Sequence, residues 1–510
     1  VKILIPLAGH SRRFQAAGFV EPKAFLRVGD RSMIEQVVGM FSSKDEFYFI
    51  VNEDQARGFP QLVASLATLA SHSHTIVIPS HEKGPVFSCL QVQGIPPNEP
   101  VIVNYCDFKV DWDYPQFLKD CEGTDGCLAV FRGFHPASLG ATFFAYLQCE
   151  GNQMLRLREK QSFTDDRMQE LASTGTYYFG QWSGFQKYAL SLAAQSGEAY
   201  ASLLYNPMVD DGLNVRVSEV EKFICLGTPE DVAQHNLWWN CFQSDQAQAS
   251  ESATSDINLV LMAGEGERFR AHGYPQRKPF IPVDKMPMIQ RAVESLPRAK
   301  TQIALTRREH DSEFVPVYAD LFDDVIELDA LTQGPAETCL FAKERIAPTA
   351  SVLVTSCDYS VRVNPERWNR AVQNTNVDVF VWTTNLRGRI VRSFNDYAYC
   401  KLASGTQRVE RVQEKQTISQ DPASDALVTG TFWFRRAGDL FAAIEKTRAA
   451  NVRVNGEFYV GTSINQLVEA GLRVEIFEVD QWMSFGTPVE LQTYEFWKGH
   501  FECSSLSATA

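Results

Sequence analysis

The sequence predicts an α/β protein made of two tandem domains, each a mostly parallel sheet with helices on both faces. Three observations predict this. The chain repeats itself once, at a separation of about 255 residues. Within each copy, short apolar runs alternate with segments of helical periodicity. In each copy the first apolar run leads straight into a glycine-containing, arginine-containing turn.

The repeat is collinear. Leu7-Ala8-Gly9-His10-Ser11-Arg12-Arg13-Phe14 matches Met262-Ala263-Gly264-Glu265-Gly266-Glu267-Arg268-Phe269, and Gly9 to Gly264 is 264 − 9 = 255 positions. Lys23 then falls on Lys278 and Met33-Ile34 on Met288-Ile289. Gly84-Pro85 aligns with Gly334-Pro335, and Cys106-Asp107 with Cys357-Asp358. Glu159-Lys160-Gln161 pairs with Glu414-Lys415-Gln416, Gly175-Thr176 with Gly430-Thr431, and Gly227-Thr228-Pro229 with Gly486-Thr487-Pro488. Solenoid repeats run about 20–50 residues, so this is the duplication of a whole domain. Residues 240–256 are rich in Gln, Ser and Ala and read as a linker. The expected domains are 1–239 and 257–502, with 503–510 as a tail.

Alternation is visible in both copies. Ile3 to Leu7, Phe47 to Val51, Thr75 to Ile78, Val101 to Asn104 and Leu128 to Phe131 read as buried strands. Leu259 to Met262, Gln302 to Thr306, Ser351 to Thr355 and Val377 to Thr383 are the second set. Gln55 to Ala70 carries Leu62, Leu66 and Leu69 at helical spacing. Buried strands alternating with helices imply a parallel sheet covered on both faces. Ligands of such sheets bind at the carboxyl ends of the strands.

Composition narrows the function classes. Of 510 residues, 45% are hydrophobic and 22% charged, which is globular composition. The charge sum, 48 − 62 = −14, argues against a general nucleic-acid binder and against a charged membrane-surface role. It leaves room for a small anionic substrate in a local basic pocket. No apolar run reaches the roughly 18–20 residues of a membrane span. Pro6 and Arg12-Arg13 do not build a signal peptide. The 11 cysteines are scattered with no CxxC, which reads as reduced thiols and no zinc site. The expectation is a soluble cytoplasmic protein.

The turn after the first strand carries the chemistry. Glycines let backbone N–H groups approach a phosphate closely, Arg offers a planar fork of donors, and Lys a mobile charge. Neither a P-loop nor a dinucleotide fingerprint is present, because the Gly-Lys-Ser/Thr ending and the third glycine are missing. A carboxylate ending a buried strand, as Asp107 and Asp358 do, suits Mg²⁺, which uses one or two carboxylates plus phosphate oxygens. A helix N-cap is the other reading of such an Asp. Glu159-Lys160 and Glu414-Lys415 each follow an alternating stretch, so the paired charges are expected on opposite faces of a strand. His10 is the one histidine near this loop.

The residues Ala263-Gly264-Glu265-Gly266-Glu267-Arg268-Phe269, followed by Lys278-Pro279, resemble the signature of sugar-phosphate nucleotidyltransferases, the GT-A-like NTP-transferase family. The resemblance extends over nearly the whole of both copies. It implies two tandem Rossmann-like, GT-A-type domains with mixed, mostly parallel sheets. It places nucleotide binding on Ala8, Gly9, Ser11, Gly84 and Pro85, and on Ala263, Gly264, Gly266, Gly334 and Pro335. It implies that Arg13, Lys23, Arg268 and Lys278 stabilise the phosphates during transfer, and that Asp107 and Asp358 hold Mg²⁺. The acceptor is implied to meet Glu159, Lys160 and Gly175 in copy one, and Glu414, Lys415 and Gly430 in copy two. Copy one departs from the pattern, with Ser11 for the second glycine and Ala24 after Lys23. The second metal carboxylate of the family is missing before Gly227 and Gly486, where Leu226 and Phe485 stand. Asp111 and Asp113 (Val361 and Val363 in copy two), Glu198 and Glu457 are the other candidates.

The implied reaction moves an NMP group from an NTP to a sugar phosphate or similar metabolite and releases pyrophosphate. The alternatives are a cytidylyltransferase acting on a non-sugar phosphate or phosphonate in surface-polysaccharide modification, and a nucleotide-binding regulatory or scaffold protein with one degenerate domain. A glycosyltransferase of related fold is disfavoured by the Arg-plus-Lys loop. The implied partners are an NTP and a phosphorylated small molecule, with no nucleic acid and no membrane. Association with a second copy is left open.

Overall fold

The computed structural model describes residues 1–140, 142–195, 197–243, 253–310 and 320–507. The chain divides into two compact units. Unit one is Val1–Asn240 with Gly388–Ile390, and unit two is Cys241–Arg387 with Val391–Ala510.

The sheet of unit one uses β1 (Lys2–Pro6), β2 (Glu46–Asn52), β3 (Ser73–Ile78), β4 (Val101–Asn104), β5 (Gly126–Phe131), β6 (Ala145–Glu150), β7 (Gln153–Glu159), β8 (Leu171–Phe179) and β9 (Val215–Glu219). Their order is β3-β2-β1-β4-β8-β5-β9-β7-β6. The pairs among β1 to β4 are parallel, and β8 enters antiparallel between β4 and β5. Side chains of β1 alternate between two cores. Ile3 and Ile5 pack with Phe47 and Phe49, while Leu4 packs with Tyr48 and Ile50. Burial on both faces is why Ile3, Leu4 and Ile5 are all apolar.

The open Rossmann-like sheet expected for copy one is not what forms at its far side. There β8 also pairs with β6, and the ring β8-β5-β9-β7-β6 closes into a five-strand barrel. The cause is local. The pairing of β8 with β5 shifts register between Ser173 and Tyr177, and this irregularity surrounds Gly175. Such a bulge bends the strand and lets its two ends serve different neighbours. The β6–β7 hairpin then reaches β8 through Leu147 and Tyr146, and β9 through Gln153.

Unit two is an α/β unit with a mixed, mostly parallel sheet. Its strands are β10 (Ser255–Leu261), β11 (Ala299–Arg307), β12 (Asp324–Leu328), β13 (Val352–Ser356), β14 (Val379–Thr384), β15 (Ala398–Leu402), β16 (Val409–Glu414), β17 (Ala426–Phe434) and β18 (Val474–Glu478). The main path is β12-β11-β10-β13-β17-β14-β18, and β15 pairs with both β16 and β17. Adding nine to each strand number of unit one reproduces this path.

Three expectations change at the level of elements. The helix expected over 55–70 is two helices, Glu53–Gly58 and Pro60–Ser65, with a 3-10 turn at Leu66–Thr68. Pro60 has no N–H to continue the first helix and restricts Phe59 before it. The linker expected at 240–256 is shorter, because one helix runs through Gln243 and β10 begins at Ser255. Residues 244–252 of that linker lie outside the described residues. The helix Pro488–Ser507 runs into the expected tail, whose residues 508–510 also lie outside. Among the described residues no helix is long and apolar enough to cross a membrane.

Candidate functional site

Both units place the same ion pair at the carboxyl end of the sheet. Asp107 follows β4 and opens the short ribbon Phe108–Asp111, which pairs with Lys222–Cys225. Asp358 follows β13 and opens Tyr359–Arg362, paired with Gln481–Ser484. The ribbons bring the late glycine to the aspartate: Leu226 N–H donates to the Asp107 carbonyl, and Phe485 N–H to that of Asp358, both at 2.8 Å. Lys23 and Lys278 each start a 3-10 turn. Lys23 Nζ lies 2.7 Å from Asp107 Oδ2, and Lys278 Nζ lies 2.5 Å from Asp358 Oδ2. Burial works against both charges in each pair. The opposing charge outweighs it, so both lysines are held above and both aspartates below their usual ranges. Arg13 and Arg268 add to the stabilisation of the two carboxylates.

Above each pair sits the turn after the first strand. Ser11 takes φ 52° and ψ 35°, and Gly266 takes φ 64° and ψ 30°, so the two corresponding residues share the left-handed conformation. A Cβ on Gly266 would stand 2.7 Å from Lys278 Cβ, so the glycine lets the lysine close up under the turn. In unit one the Lys23 N–H instead meets Ser11 Oγ at 3.4 Å. Ala8 and Ala263 are buried at the base of the turn, while Gly9 and Gly264 are exposed, with open space where a Cβ would be. The side chains of Arg13 and Arg268 are exposed and have no hydrogen-bond or ion-pair partner among the described residues. Free guanidinium groups beside a half-buried Lys–Asp pair are groups of the kind that can bind phosphate oxygens.

Gly84 and Gly334 cap the helices Pro85–Cys89 and Pro335–Leu340 with φ 88° and 123°. A Cβ on Gly84 would meet the Ala199 backbone at 2.6 Å, and one on Gly334 the Phe458 backbone at the same distance. Reciprocal backbone bonds stitch each turn to that segment: Val86 N–H to Ala199 O and Ala199 N–H to Lys83 O in unit one, Ala336 N–H to Phe458 O and Phe458 N–H to Gln333 O in unit two. The surrounding side chains differ. His81 Nε2 contacts Ser88 Oγ at 3.0 Å in unit one, whereas Thr332 and Thr338 share a hydroxyl contact of 2.6 Å in unit two.

The Glu-Lys pairs do not alternate on a strand as expected. Glu159 and Glu414 end β7 and β16. Lys160 and Lys415 come one residue later in the left-handed region, at φ 56° and 55°. Their N–H groups donate to Phe144 O at 3.0 Å and Tyr397 O at 2.9 Å, which makes each lysine part of a turn. Lys160 Nζ then reaches Tyr200 OH at 2.7 Å, and Lys415 Nζ reaches the Asp396 carbonyl. Gly175 and Gly430 lie beside Phe108 and Tyr359, the residues after the two aspartates. The threonines that follow are internal braces. Thr176 Oγ1 donates to Asn104 Oδ1 at 2.5 Å, and Thr431 Oγ1 meets Tyr359 OH at 2.6 Å.

The other carboxylate candidates have local partners. Asp113 accepts from Gln116 N–H as a helix N-cap, and Asp111 pairs with Lys109 at 3.1 Å. Glu198 and Glu457 accept from Tyr200 and Tyr459 hydroxyls. Among the described residues no group of three or more His, Cys, Asp and Glu gathers around one point. A hard cation at either place would have one carboxylate oxygen, from Asp107 or Asp358, and would need its remaining ligands from phosphate and water.

Sequence reasoning passed over two features. Tyr200 and Tyr459 feel the charges of both Glu159 and Arg13, and of both Glu414 and Arg268, respectively. Their signal was the repeated Glu-x-Tyr, Glu198-Ala199-Tyr200 and Glu457-Phe458-Tyr459. Asp231 sits in the first turn of the helix after Gly227-Thr228-Pro229 and accepts from Thr228 N–H at 3.0 Å. Burial pushes its carboxyl up to about 6. Glu490 is its counterpart in unit two, and its N–H donates to Thr487 Oγ1 at 3.2 Å.

Solved structures similar to this chain include a nucleoside-diphosphate-sugar pyrophosphorylase from Vibrio cholerae RC9, 21% identical, covering 48% of this chain and 99% of its own, with a TM-score of 0.38. An inositol-1-phosphate CTP transferase from T. maritima is 14% identical over 48% of this chain and 96% of its own, with a TM-score of 0.39. A UDP-glucose pyrophosphorylase complexed with UDP-glucose is 15% identical over 49% and 99%, with a TM-score of 0.38. No curated protein matches the chain. Residues 258–419 match the model of the MobA-like NTP transferase domain, so the chain contains one domain of that NTP transferase family.

Proposed function

We propose that the chain is a tandem nucleotidyltransferase whose two units each transfer the NMP group of an NTP to a phosphorylated acceptor and release pyrophosphate. The observation that carries this reading is the Lys–Asp pair beneath a left-handed turn with a free arginine, found in both units. In unit two it lies within the matched family span. In unit one it rests on the internal repeat.

An acceptor phosphate oxygen attacks the α-phosphorus of the NTP, the bond to the β-phosphate bridging oxygen breaks, and pyrophosphate leaves with the electron pair. The nucleophile is already ionised, so the protein's work is positioning and charge stabilisation. Arg268 and Lys278 face the departing pyrophosphate, as Arg13 and Lys23 do in unit one. The turns at Gly264-Glu265-Gly266 and Gly9-His10-Ser11 offer backbone N–H groups to the phosphates. Gly334-Pro335 and Gly84-Pro85 hold the base side, while Glu414, Lys415 and Gly430, with Glu159, Lys160 and Gly175, line the acceptor side. Asp358 and Asp107 would hold Mg²⁺, which supplies neutralisation of phosphate charge. A sugar phosphate is the favoured acceptor, and a phosphorylated alcohol or phosphonate taken with CTP is the alternative.

Calorimetric titration of the full chain with each common NTP in Mg²⁺ tests this. Saturable binding of one base is expected, at one or two sites per chain. Absence of binding by all four sinks the reading. Ser11 and Ala24 support a second reading in which unit one binds nucleotide without turnover. Binding at two sites with pyrophosphate release lost in Asp358→Asn alone would select it.

A further inference from the structure

Glu159 and Glu414 occupy matching positions, and one difference between their surroundings falls directly on the carboxyl. The segment Glu198-Ala199-Tyr200-Ala201-Ser202 corresponds to Glu457-Phe458-Tyr459-Val460-Gly461, and both are stitched to the Gly-Pro turn by equivalent backbone bonds. The fifth residue is buried in both, Ser202 in one unit and Gly461 in the other. Ser202 Oγ donates to Glu159 Oε2 at 2.5 Å. Gly461 has no side chain to donate, and a Cβ there would run into Glu414 Oε1 and stand 3.0 Å from Val412 Cγ1. The Glu414 carboxyl thus lies over the glycine. It has no hydrogen-bond donor among the described residues. Burial pushes it up to about 7, with Lys415 the one charge opposing that shift.

A carboxyl placed this way keeps its accepting positions open, while Glu159 has one already taken. Building on the transferase reading, we propose that Ser202 and Gly461 give the two units different acceptor requirements, with Glu414 receiving a hydroxyl of a polyhydroxylated acceptor such as a sugar phosphate. A neutral hydroxyl donor fits better than a cationic group, because the Lys415 charge already acts on this carboxyl. Residue 461 is a specificity determinant that works through Glu414. A serine there would shift the carboxyl with its Cβ and supply a donor from the protein, whereas Gly461→Ala adds the Cβ alone, so only an effect of Gly461→Ser beyond that of Gly461→Ala counts for the inference.

The test uses the full chain carrying Asp107→Asn, so that unit two alone is read, with and without Gly461→Ser. Pyrophosphate release is followed with NTP, Mg²⁺ and either gluco-, galacto- or manno-configured hexose 1-phosphates or phosphocholine, which has no hydroxyl. Gly461→Ser is expected to raise KM for the hexose 1-phosphate about tenfold with kcat and the NTP KM nearly unchanged. A purely structural role would move all three together. In the ligand-free chain, infrared spectroscopy is expected to show a protonated carboxyl titrating near neutrality, absent in Glu414→Gln and displaced to lower pH in Gly461→Ser. A hexose 1-phosphate KM and a carboxyl titration both indifferent to residue 461 overturn the inference alone, as does preference for phosphocholine. No pyrophosphate from any combination overturns this inference; the transferase reading falls with it only if the same chain also binds none of the four NTPs.

Discussion

Lys278 Nζ stands 2.5 Å from Asp358 Oδ2 across 80 residues of chain, and Lys23 and Asp107 repeat the contact at 2.7 Å across 84. The side chains of these pairs are only 17–25% exposed, so neither partner can be removed without leaving a charge poorly solvated. Asp358→Asn is expected to abolish transfer by unit two and to destabilise it by about 2–3 kcal/mol, since it strands Lys278. Adding Lys278→Met should restore much of the stability and none of the activity. Denaturation of the two variants, beside pyrophosphate release with unit one disabled, checks both halves.

Arg268 gives the opposite pattern. Its side chain is exposed and unpaired, so Arg268→Ala should leave stability within about 0.5 kcal/mol of the parent. Transfer by unit two should fall about 100-fold or more, because the loss falls on phosphate charge developing in the transition state. A change in Tm as large as that of Asp358→Asn would show that the arginine braces the fold instead.

At the turn, Gly266→Ala should cost about 1–2 kcal/mol for the left-handed conformation alone. The added Cβ must also displace Lys278 Cβ, 2.7 Å away, so the NTP KM should rise as well. Ser11→Gly in unit one should stabilise or leave unchanged, since it relieves a left-handed non-glycine residue. Equal effects of the two substitutions on Tm would refute the distinction between the turns.

Glu414 makes one defined contribution to the pH dependence of stability. Its ordinary value is 4.5 and burial raises it to about 7, so between these pH values the folded state binds more protons than the unfolded state. Stability therefore falls as pH rises through this window, by at most about 3 kcal/mol for this group. Below pH about 4.5 both states are protonated and the effect is absent. Asp231, raised by burial to about 6, gives a slope of the same sign below that value, so Glu414→Gln should flatten the profile chiefly between pH about 6 and 7, measured by urea denaturation. A variant profile as steep as the parent's would assign the slope to another group.

The parallel strands and the strand-end aspartates were legible because each announces itself locally, the strand by its apolar run and the aspartate by standing at the end of one. The internal repeat also exposed Lys23 and Lys278, which one copy alone would have left as surface lysines. Pairing between distant segments leaves no such local mark. The barrel closure depends on β8 serving β5 and β6 with its two ends, and no local pattern in Leu171–Phe179 records that. The turn geometry of Lys160 and Lys415 was hidden because a strand's last residue and the left-handed residue after it look alike in sequence. Ser202 was invisible for a plainer reason: its role depends on Glu159, 43 residues earlier.

The placement of β8 also bears on how the chain is made. Its hydrogen bonds join β4 to β5, yet Leu171 leaves the ribosome 171 − 104 = 67 residues after Asn104. At synthesis rates of about 5–20 residues per second, β4 waits several seconds with an unsatisfied edge. An unpaired, apolar strand edge is a template for pairing with another nascent chain. A similar interval, 426 − 356 = 70 residues, recurs in unit two, where β17 closes the seam after β13. Slow translation between these strands, or truncation within them, would expose this protein to aggregation in a way its finished fold conceals.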